Sequence, residues 1–271
     1  MDKKKEPKLW FITKSNSIKI ATLFGLIIVW ELLAISPFIR DIYLPTPVKV
    51  VGTLWSLIFK GYPKDITVLV HIKATVWRII RGYFLAAAIA IPLGLFIGNY
   101  YLLERAANPV VTFARSIAAI SLLPLVIAWF GVTDVSRVLL IMYGSFWAIL
   151  TNTIQGVKSV DVTYINVGRM FGASRGALFF RVILPATLPR IFAGMRIGLG
   201  ISFMIIVAAE MIGTIRGLGA LIQQSRLYYR TDITINGMIF IGLFGLMISI
   251  GLDWLERILL PWAVGLEEVE R

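Results

Sequence analysis

The feature that most constrains this chain is the length of its apolar runs. Of its 271 residues, 58% are hydrophobic, and several mostly apolar stretches are long enough to cross a bilayer as a helix, which takes about 20 residues. A soluble core has no need of such runs. The pattern predicts an all-α, polytopic membrane protein with about six transmembrane helices, at about 18–37, 80–99, 109–130, 136–157, 191–212 and 235–256.

The first run, Ile18 to Pro37, is predicted to be a retained span rather than a cleavable signal peptide. It exceeds the usual apolar core of a signal peptide, and no A-x-A cleavage site follows it. An internal N-terminus places the larger share of the 27 Lys and Arg residues on the cytosolic side, as the positive-inside rule requires. We therefore expect a cytosolic basic tail at 1–17, a transmembrane domain at 18–262 and a cytosolic tail at 263–271.

The composition excludes several kinds of site. With no cysteine and one histidine, His71, the chain cannot form disulfides, thiolate metal sites or histidine clusters. Its scattered carboxylates offer no paired catalytic constellation, so we expect neither an enzyme nor a metal site. The net charge of +12 would suggest nucleic acid in a soluble protein. In a membrane protein it is explained by cations that flank the spans, and we expect no nucleic-acid partner.

Two further patterns concern helices. After the stiff Pro45-Thr46-Pro47 turn, apolar residues at helical spacing predict a short helix over 48–59 on the outer face; they are Val51, Leu54, Trp55 and Ile58. Small residues recur four apart in spans two and five, as Gly94 with Gly98 and Gly194 with Gly198. This spacing lets helices approach closely. We favour packing within the chain, with a subunit interface as the alternative.

The segment between spans four and five, about 158–190, is much longer than a connection needs to be. Asp161 is placed to cap a first short helix, and Gly172 is placed to end it. Ser174 is placed to cap a second helix, which we expect to stop at Pro185. Two short helices hinged at a glycine predict a compact cytosolic knob, suited to docking into a cleft on a partner.

This segment resembles the coupling loop of binding-protein-dependent ABC importer permeases. The resemblance rests on Gly172-Ala173 and on the Leu184-Pro185 ending, although the Glu-Ala-Ala positions of that family align with Asn166-Val167-Gly168, so the acidic residue is absent. Further motifs resemble the branch that imports nitrate, sulfonates, taurine and bicarbonate; they lie at 44–47, 129–131, 194–200, 207–210 and 216–219. In all, the resemblance covers roughly residues 40–262.

The resemblance implies the type I ABC importer fold in a prokaryotic inner membrane. It implies a second permease copy, as a homodimer, two ATP-binding subunits docked on the coupling loops, and an external solute-binding protein. ATP and magnesium would belong to the partner ATPase, and this chain indeed contains no G-x-x-x-x-G-K-[ST] phosphate loop. The residues implied in ATPase coupling are Ile165, Asn166, Arg169, Gly172, Ala173, Ser174, Leu184 and Pro185.

Polar residues within the spans are the candidates for a translocation pathway or gate. They are Ser121, Pro124, Tyr143, Ser145, Asn152, Ser202 and Glu210. Glu210 could pair with Arg216 nearby in sequence. The resemblance implies a small anionic solute, with a pyrimidine-like vitamin precursor as the alternative. A stand-alone secondary carrier or channel is the competing function, but we find neither a duplicated half nor a chain of buried carboxylates.

Overall fold

Helices make up all the regular structure described by the computed structural model, which covers residues 9–37, 40–63 and 66–262, with side chains from residue 21 onward except Leu23. The predicted all-α class is confirmed. In chain order the elements are α1 Leu9–Ile35, α2 Pro47–Phe59, α3 Val68–Asn99, α4 Tyr101–Ser116, a 3₁₀ turn Ala119–Leu122, α5 Leu123–Phe130, α6 Asp134–Lys158, α7 Val162–Met170, α8 Arg175–Leu178, a π turn Phe179–Ile183, α9 Leu184–Glu210, α10 Leu218–Leu227 and α11 Thr231–Leu259.

Four of the described helical segments are long and apolar enough to cross a membrane; they are Val68–Asn99, Asp134–Lys158, Arg175–Glu210 and Thr231–Leu259. These contain the second, fourth and sixth predicted spans and most of the fifth. The first predicted span falls in α1, and the part of α1 with described side chains includes the apolar segment Phe24–Ile35. Helix α1 begins inside the predicted tail, and residues 1–8 and 263–271 lie outside the described residues.

The third predicted span, 109–130, is not one straight helix. The segments Tyr101–Ser116 and Ala119–Phe130 meet at a bend of 76°. Ile117 and Ala118 separate them in extended conformation, with ψ of 114° and 124°. Neither proline marks the break: Pro109 lies inside α4, and Pro124 occupies the first turn of α5, where a missing N–H costs nothing.

Helix α3 begins at Val68, well before the predicted start near residue 80. The early part carries the polar residues His71, Thr75 and Arg78, which lower the hydropathy of the sequence. All three are nevertheless buried, because His71 bonds to the Gly217 backbone, and Thr75 and Arg78 bond to Glu210 in α9. The short helix predicted at 48–59 is confirmed as α2, which buries Val50, Thr53 and Leu57. Its predicted apolar positions, such as Trp55, lie mostly on the exposed side.

Helix α6 is the centre of the packing, with α3 on one side and α9 on the other. In α3, a Cβ added at Gly94 would come within 2.7 Å of Thr153, and one at Gly98 within 2.8 Å of Val157. In α9, a Cβ at Gly194 would come within 2.6 Å of Asn152. Both glycine pairs therefore bring helices of the same chain together, which confirms packing within the chain.

Candidate functional site

The segment between α6 and α9 forms the predicted two-helix knob, which we define as residues 161–183. The Asp161 side chain accepts the N–H of Thr163 at 2.8 Å and caps α7. That backbone hydrogen bond lowers the pKa of the Asp161 carboxyl. The Ser174 hydroxyl accepts the N–H of Ala177 at 3.3 Å and caps α8. Both predicted caps are confirmed, so the sequence itself fixes where each helix of the knob begins.

Gly172 forms the turn between the two helices, as predicted. Its φ of +74° lies in the left-handed region, where a Cβ would be strained. Backbone hydrogen bonds from Gly172 N to Arg169 O at 2.9 Å and from Ala173 N to Gly168 O at 3.0 Å close the end of α7. A Cβ at Gly172 would contact nothing. The glycine is therefore required by backbone conformation alone.

The second helix does not stop at Pro185, contrary to our expectation. The π turn Phe179–Ile183 carries the chain from α8 directly into α9, and the N–H of Leu184 bonds to the carbonyl of Phe179. This wider turn moves the preceding carbonyls away from the proline ring, which would otherwise clash with them. The knob is thus continuous with a segment long enough to span a membrane, Arg175–Glu210.

The tip of the knob exposes two large apolar side chains that the sequence analysis did not select. Met170 and Phe171 are 86% and 87% exposed. The available signal was their position just before Gly172, at the apex of the turn. Among the predicted coupling residues, Asn166, Arg169, Gly172 and Ser174 are exposed, whereas Ile165, Ala173, Leu184 and Pro185 are partly buried.

Gly168 lies at the contact between the two helices of the knob. A Cβ at Gly168, which aligns with the last residue of Glu-Ala-Ala, would lie 2.5 Å from the Leu178 side chain. Leu178 is buried. The glycine therefore lets α7 pack closely onto α8.

A cavity of about 620 Å³ lies beside the bend between α4 and α5 and is lined by residues of α6 and α9. Two predicted pathway residues, Tyr143 and Asn152, are in its wall, together with Arg115. The α9 side is apolar and includes Ile201 and Met204. This open cavity can therefore accommodate an organic group against its apolar wall while offering a few polar contacts.

The other predicted pathway residues are not brought to this cavity. Ser145 and Ser202 are fully buried and bond to each other at 2.7 Å, which joins α6 to α9. Ser121 bonds to the Ala118 carbonyl at 2.7 Å, a local contact. Pro124 lies in the first turn of α5, and Glu210 lies at the far end of α9.

Glu210 is the centre of a buried ion cluster that joins α3, α6 and α9. Its carboxylate is 0% exposed and accepts a hydrogen bond from Arg78 Nη1 at 2.6 Å. Thr75 Oγ1 lies 2.8 Å from Oε2, and the N–H of Gly219 donates to Oε2 at 3.0 Å. Arg78 also donates to Asp134 at 2.8 Å through Nε. The carboxylate is therefore fully satisfied, as a buried charge requires.

The expected partner of Glu210, Arg216, is not the one observed. Arg216 contributes its backbone carbonyl, which accepts a hydrogen bond from Arg78 at 2.8 Å. Gly217, with φ of +139°, turns the chain against the cluster, and its N–H lies 3.1 Å from His71 Nδ1. The cation comes instead from α3, a helix that is adjacent in space but remote in sequence.

The described residues contain no group of three His, Cys, Asp or Glu side chains that could hold a metal ion.

Comparison with known proteins agrees with this arrangement. Residues 90–264 match the family described as "Binding-protein-dependent transport system inner membrane component". The chain is 33% identical to the taurine transport system permease protein TauC of Escherichia coli (strain K12), over 93% of this chain and 92% of that one. It is 31% identical to the putative aliphatic sulfonates transport permease protein SsuC of Bacillus subtilis (strain 168), over 88% of this chain and 84% of that one.

Among solved structures, an inward-facing form of the MetNI methionine ABC transporter shares the fold. Its TM-score is 0.59, at 19% identity, over 69% of this chain and 93% of that chain. The fold and the relatives agree with the motifs in the sequence. This chain is a membrane-spanning permease that belongs to the family of inner membrane components of binding-protein-dependent transport systems.

Proposed function

We propose that this chain is the permease subunit of an ATP-driven importer and that its knob docks on a separate ATP-binding subunit. The observation that carries the proposal is the pair of exposed apolar side chains, Met170 and Phe171, at the tip of a capped turn. Phenylalanine and methionine are both enriched in the buried centres of protein interfaces. Arg169 and Asn166 beside them supply the polar rim.

Continuity between the knob and α9 supports a mechanical role. The helical path Arg175–Glu210 runs without a loop from the knob to the buried cluster at Glu210. Helix α9 alone has 27 residues, or about 40 Å at 1.5 Å per residue. A displacement of the knob by the ATP-binding subunit would therefore reach the opposite end of the transmembrane domain through one helix.

The assembly that we propose has two copies of this chain, two ATP-binding subunits and an external binding protein that delivers the solute. ATP and magnesium belong to the ATP-binding subunits, because this chain has no phosphate-binding loop. The knob and both termini face the cytosol, and the Glu210 cluster faces outward. This orientation agrees with the charge bias of the sequence.

The solute that we propose is a small anion of the sulfonate, taurine, nitrate or bicarbonate class. The names of two relatives, a taurine permease and a putative aliphatic sulfonate permease, favour a sulfonate within that class. The cavity at Tyr143 and Asn152 supports this choice, since its largely apolar wall suits a short carbon chain. It is the proposed pathway in each copy of the chain.

Co-purification tests the docking role. The tagged chain is co-expressed with the ATP-binding subunit of its own genome. Three forms of the tagged chain are purified from membranes: the wild type, Phe171→Ala and Tyr43→Ala. The amount of ATP-binding subunit that co-purifies with each is measured. Tyr43 is a matched control, because it is a 73% exposed aromatic residue near the start of α11, where the Ile42 carbonyl accepts a hydrogen bond from Thr231. It is thus at the opposite end of the spans.

We expect the wild type and Tyr43→Ala to retain the ATP-binding subunit. Phe171→Ala should lose most of it, because truncating an interface hot spot costs about 2 kcal/mol or more. Equal retention by all three proteins would contradict docking through the tip. Loss in all three, with normal insertion, would contradict the importer assignment.

A further inference from the structure

A second cavity adjoins the first and leads toward the knob. It has a volume of about 280 Å³ and is lined by α4 and α6, with Asn108, Thr112 and Gln155 among its polar residues. Two residues, Arg115 and Thr151, line both cavities. The two spaces therefore meet at Arg115.

The cavities follow one face of α6. The larger one reaches from Tyr143 to Asn152, and the smaller one from Thr151 to Lys158. At 1.5 Å per residue, the stretch from Tyr143 to Lys158 spans about 22 Å. Arg115 thus lies midway along a route from the interior of the spans to the end of α6, where the knob begins.

Arg115 is exposed, and neither cavity wall supplies an ion-pair partner for its side chain. In the smaller cavity, Lys158 pairs with Glu104 at 2.9 Å, so these two charges compensate each other. Among the described residues, no ion pair or hydrogen bond is made by the Arg115 side chain, and it is the one charged residue in the wall of the larger cavity. The combined lining therefore carries one uncompensated positive charge.

The fold holds Arg115 at this point. It lies in the last turn of α4, next to the 76° bend. The hydroxyl of Tyr143 donates to the carbonyl of Ala114 at 2.7 Å, which fixes that turn against α6. A flexible cation on a fixed backbone can follow a passing ligand while its Cα stays in place.

We propose that Arg115 is a specificity-determining residue of the pathway, which pairs with the anionic group of the solute as it passes from one cavity to the other. The guanidinium presents forked N–H donors that match two oxygens of a sulfonate. The apolar wall formed by Ile201 and Met204 accommodates the carbon chain of an alkylsulfonate. This inference rests on the proposed function and assigns the solute contact to one residue.

The test uses the complete transporter in proteoliposomes, with its ATP-binding subunit, its binding protein and internal ATP. The probes are radiolabelled taurine, ethanesulfonate and bicarbonate. Arg115→Gln and Arg115→Lys are compared with Arg105→Gln. Arg105 is a matched control on the same helix, because it lies over the ring of Tyr101 at 5.8 Å and is in neither wall. Stimulation of ATP hydrolysis by the binding protein and the melting temperature are measured for each complex.

We expect Arg115→Gln to lower import of whichever probe the wild type transports by about tenfold or more, because this is the effect of losing a hydrogen bond to a charged group. ATP hydrolysis and melting temperature should remain those of the wild type. Arg115→Lys should import more than Arg115→Gln, and Arg105→Gln should match the wild type within about twofold.

Three results would overturn the inference while leaving the importer intact. The first is import by Arg115→Gln within twofold of the wild type. The second is an equal loss of import in Arg105→Gln or Arg115→Lys, and the third is a loss of import by Arg115→Gln that comes with a lower melting temperature or lower ATP hydrolysis. A wild-type transporter that imports none of the probes would instead refute the proposed solute class, and the inference with it.

Discussion

The two ends of the path through α9 are built on opposite principles. At one end, Glu210 is 0% exposed, and hydrogen bonds from α3 and from the first turn of α10 satisfy its carboxylate. At the other end, Phe171 is 87% exposed at the tip of a turn. The comparison indicates that the cluster holds the helices of this chain together, whereas the knob presents large apolar side chains at the surface, as the docking proposal requires.

The energetic consequences differ in the same way. Removing one partner of a buried ion pair leaves an uncompensated charge in the interior and is strongly destabilising. Removing an exposed apolar side chain leaves the fold nearly unchanged. The same kind of substitution should therefore affect folding at one end and assembly at the other.

The largest expected effect is at Glu210. Arg78→Met leaves the Glu210 carboxylate buried without its cation and should lower the free energy of unfolding by about 3–5 kcal/mol. Thermal unfolding of the purified chain in detergent measures this loss. The double variant Arg78→Met/Glu210→Gln should recover part of it, because no net charge remains buried.

Arg196→Met is the control for that experiment. Arg196 pairs with Asp253 at 2.7 Å and with Glu256 at 2.5 Å, but none of the three side chains is buried, at 46%, 44% and 22% exposed, and exposed pairs contribute about 0–1 kcal/mol each. Equal destabilisation by Arg78→Met and Arg196→Met would show that the buried cluster has no special structural role.

Two glycines give the next contrast. A Cβ at Gly219 would lie 2.4 Å from the carbonyl oxygen of Val207, a backbone atom that has no room to move. Gly219→Ala should therefore cost about 1–3 kcal/mol. At Gly176 in the knob, a Cβ would contact nothing, and Gly176→Ala should be neutral or stabilise by about 0.5–1 kcal/mol. Chemical denaturation of both variants distinguishes them, and the reverse order would contradict the packing at the cluster.

Gly172 tests the knob through backbone conformation. Gly172→Val places a branched side chain at φ of +74° and should strain the turn by about 1–2 kcal/mol. Gly172→Asn should be milder, because asparagine tolerates this conformation. The rate of limited trypsin digestion at the exposed Arg169 and Arg175 measures the strain in the turn. We expect faster cleavage of Gly172→Val than of Gly172→Asn. The same rate for both would mean that the turn does not depend on its glycine.

The smallest expected effect on folding is at the tip itself. Met170→Ser should change the free energy of unfolding by less than about 0.5 kcal/mol, because Met170 is 86% exposed. In the assembled transporter it should still weaken retention of the ATP-binding subunit. A marked loss of thermal stability in the isolated chain would place Met170 in the fold rather than at an interface.

Local sequence signals predicted the parts of the structure that local interactions determine. The apolar runs located α6 and α11 within a few residues. Asp161, Gly172 and Ser174 marked the knob correctly, because caps and turns involve residues only two or three positions apart.

Local sequence signals could not predict contacts between residues that are far apart in the sequence. Glu210 pairs with Arg78 across 132 positions, and the nearby Arg216 was the natural choice from sequence. The bend in the third span occurs at Ile117 and Ala118, where the sequence has no helix-breaking glycine or proline. Such features depend on which helices pack side by side, and a single sequence does not encode that in any short pattern.

Site-specific cross-linking tests the central claim, that the knob docks on the ATP-binding subunit. Because the chain has no cysteine, Phe171→Cys and Tyr43→Cys each provide one unique site per copy of this chain for a photoactivatable maleimide, which is attached before the ATP-binding subunit is added. The account predicts that illumination joins the ATP-binding subunit to position 171 and not to position 43. An adduct with that subunit at position 43, or none at position 171, would contradict it.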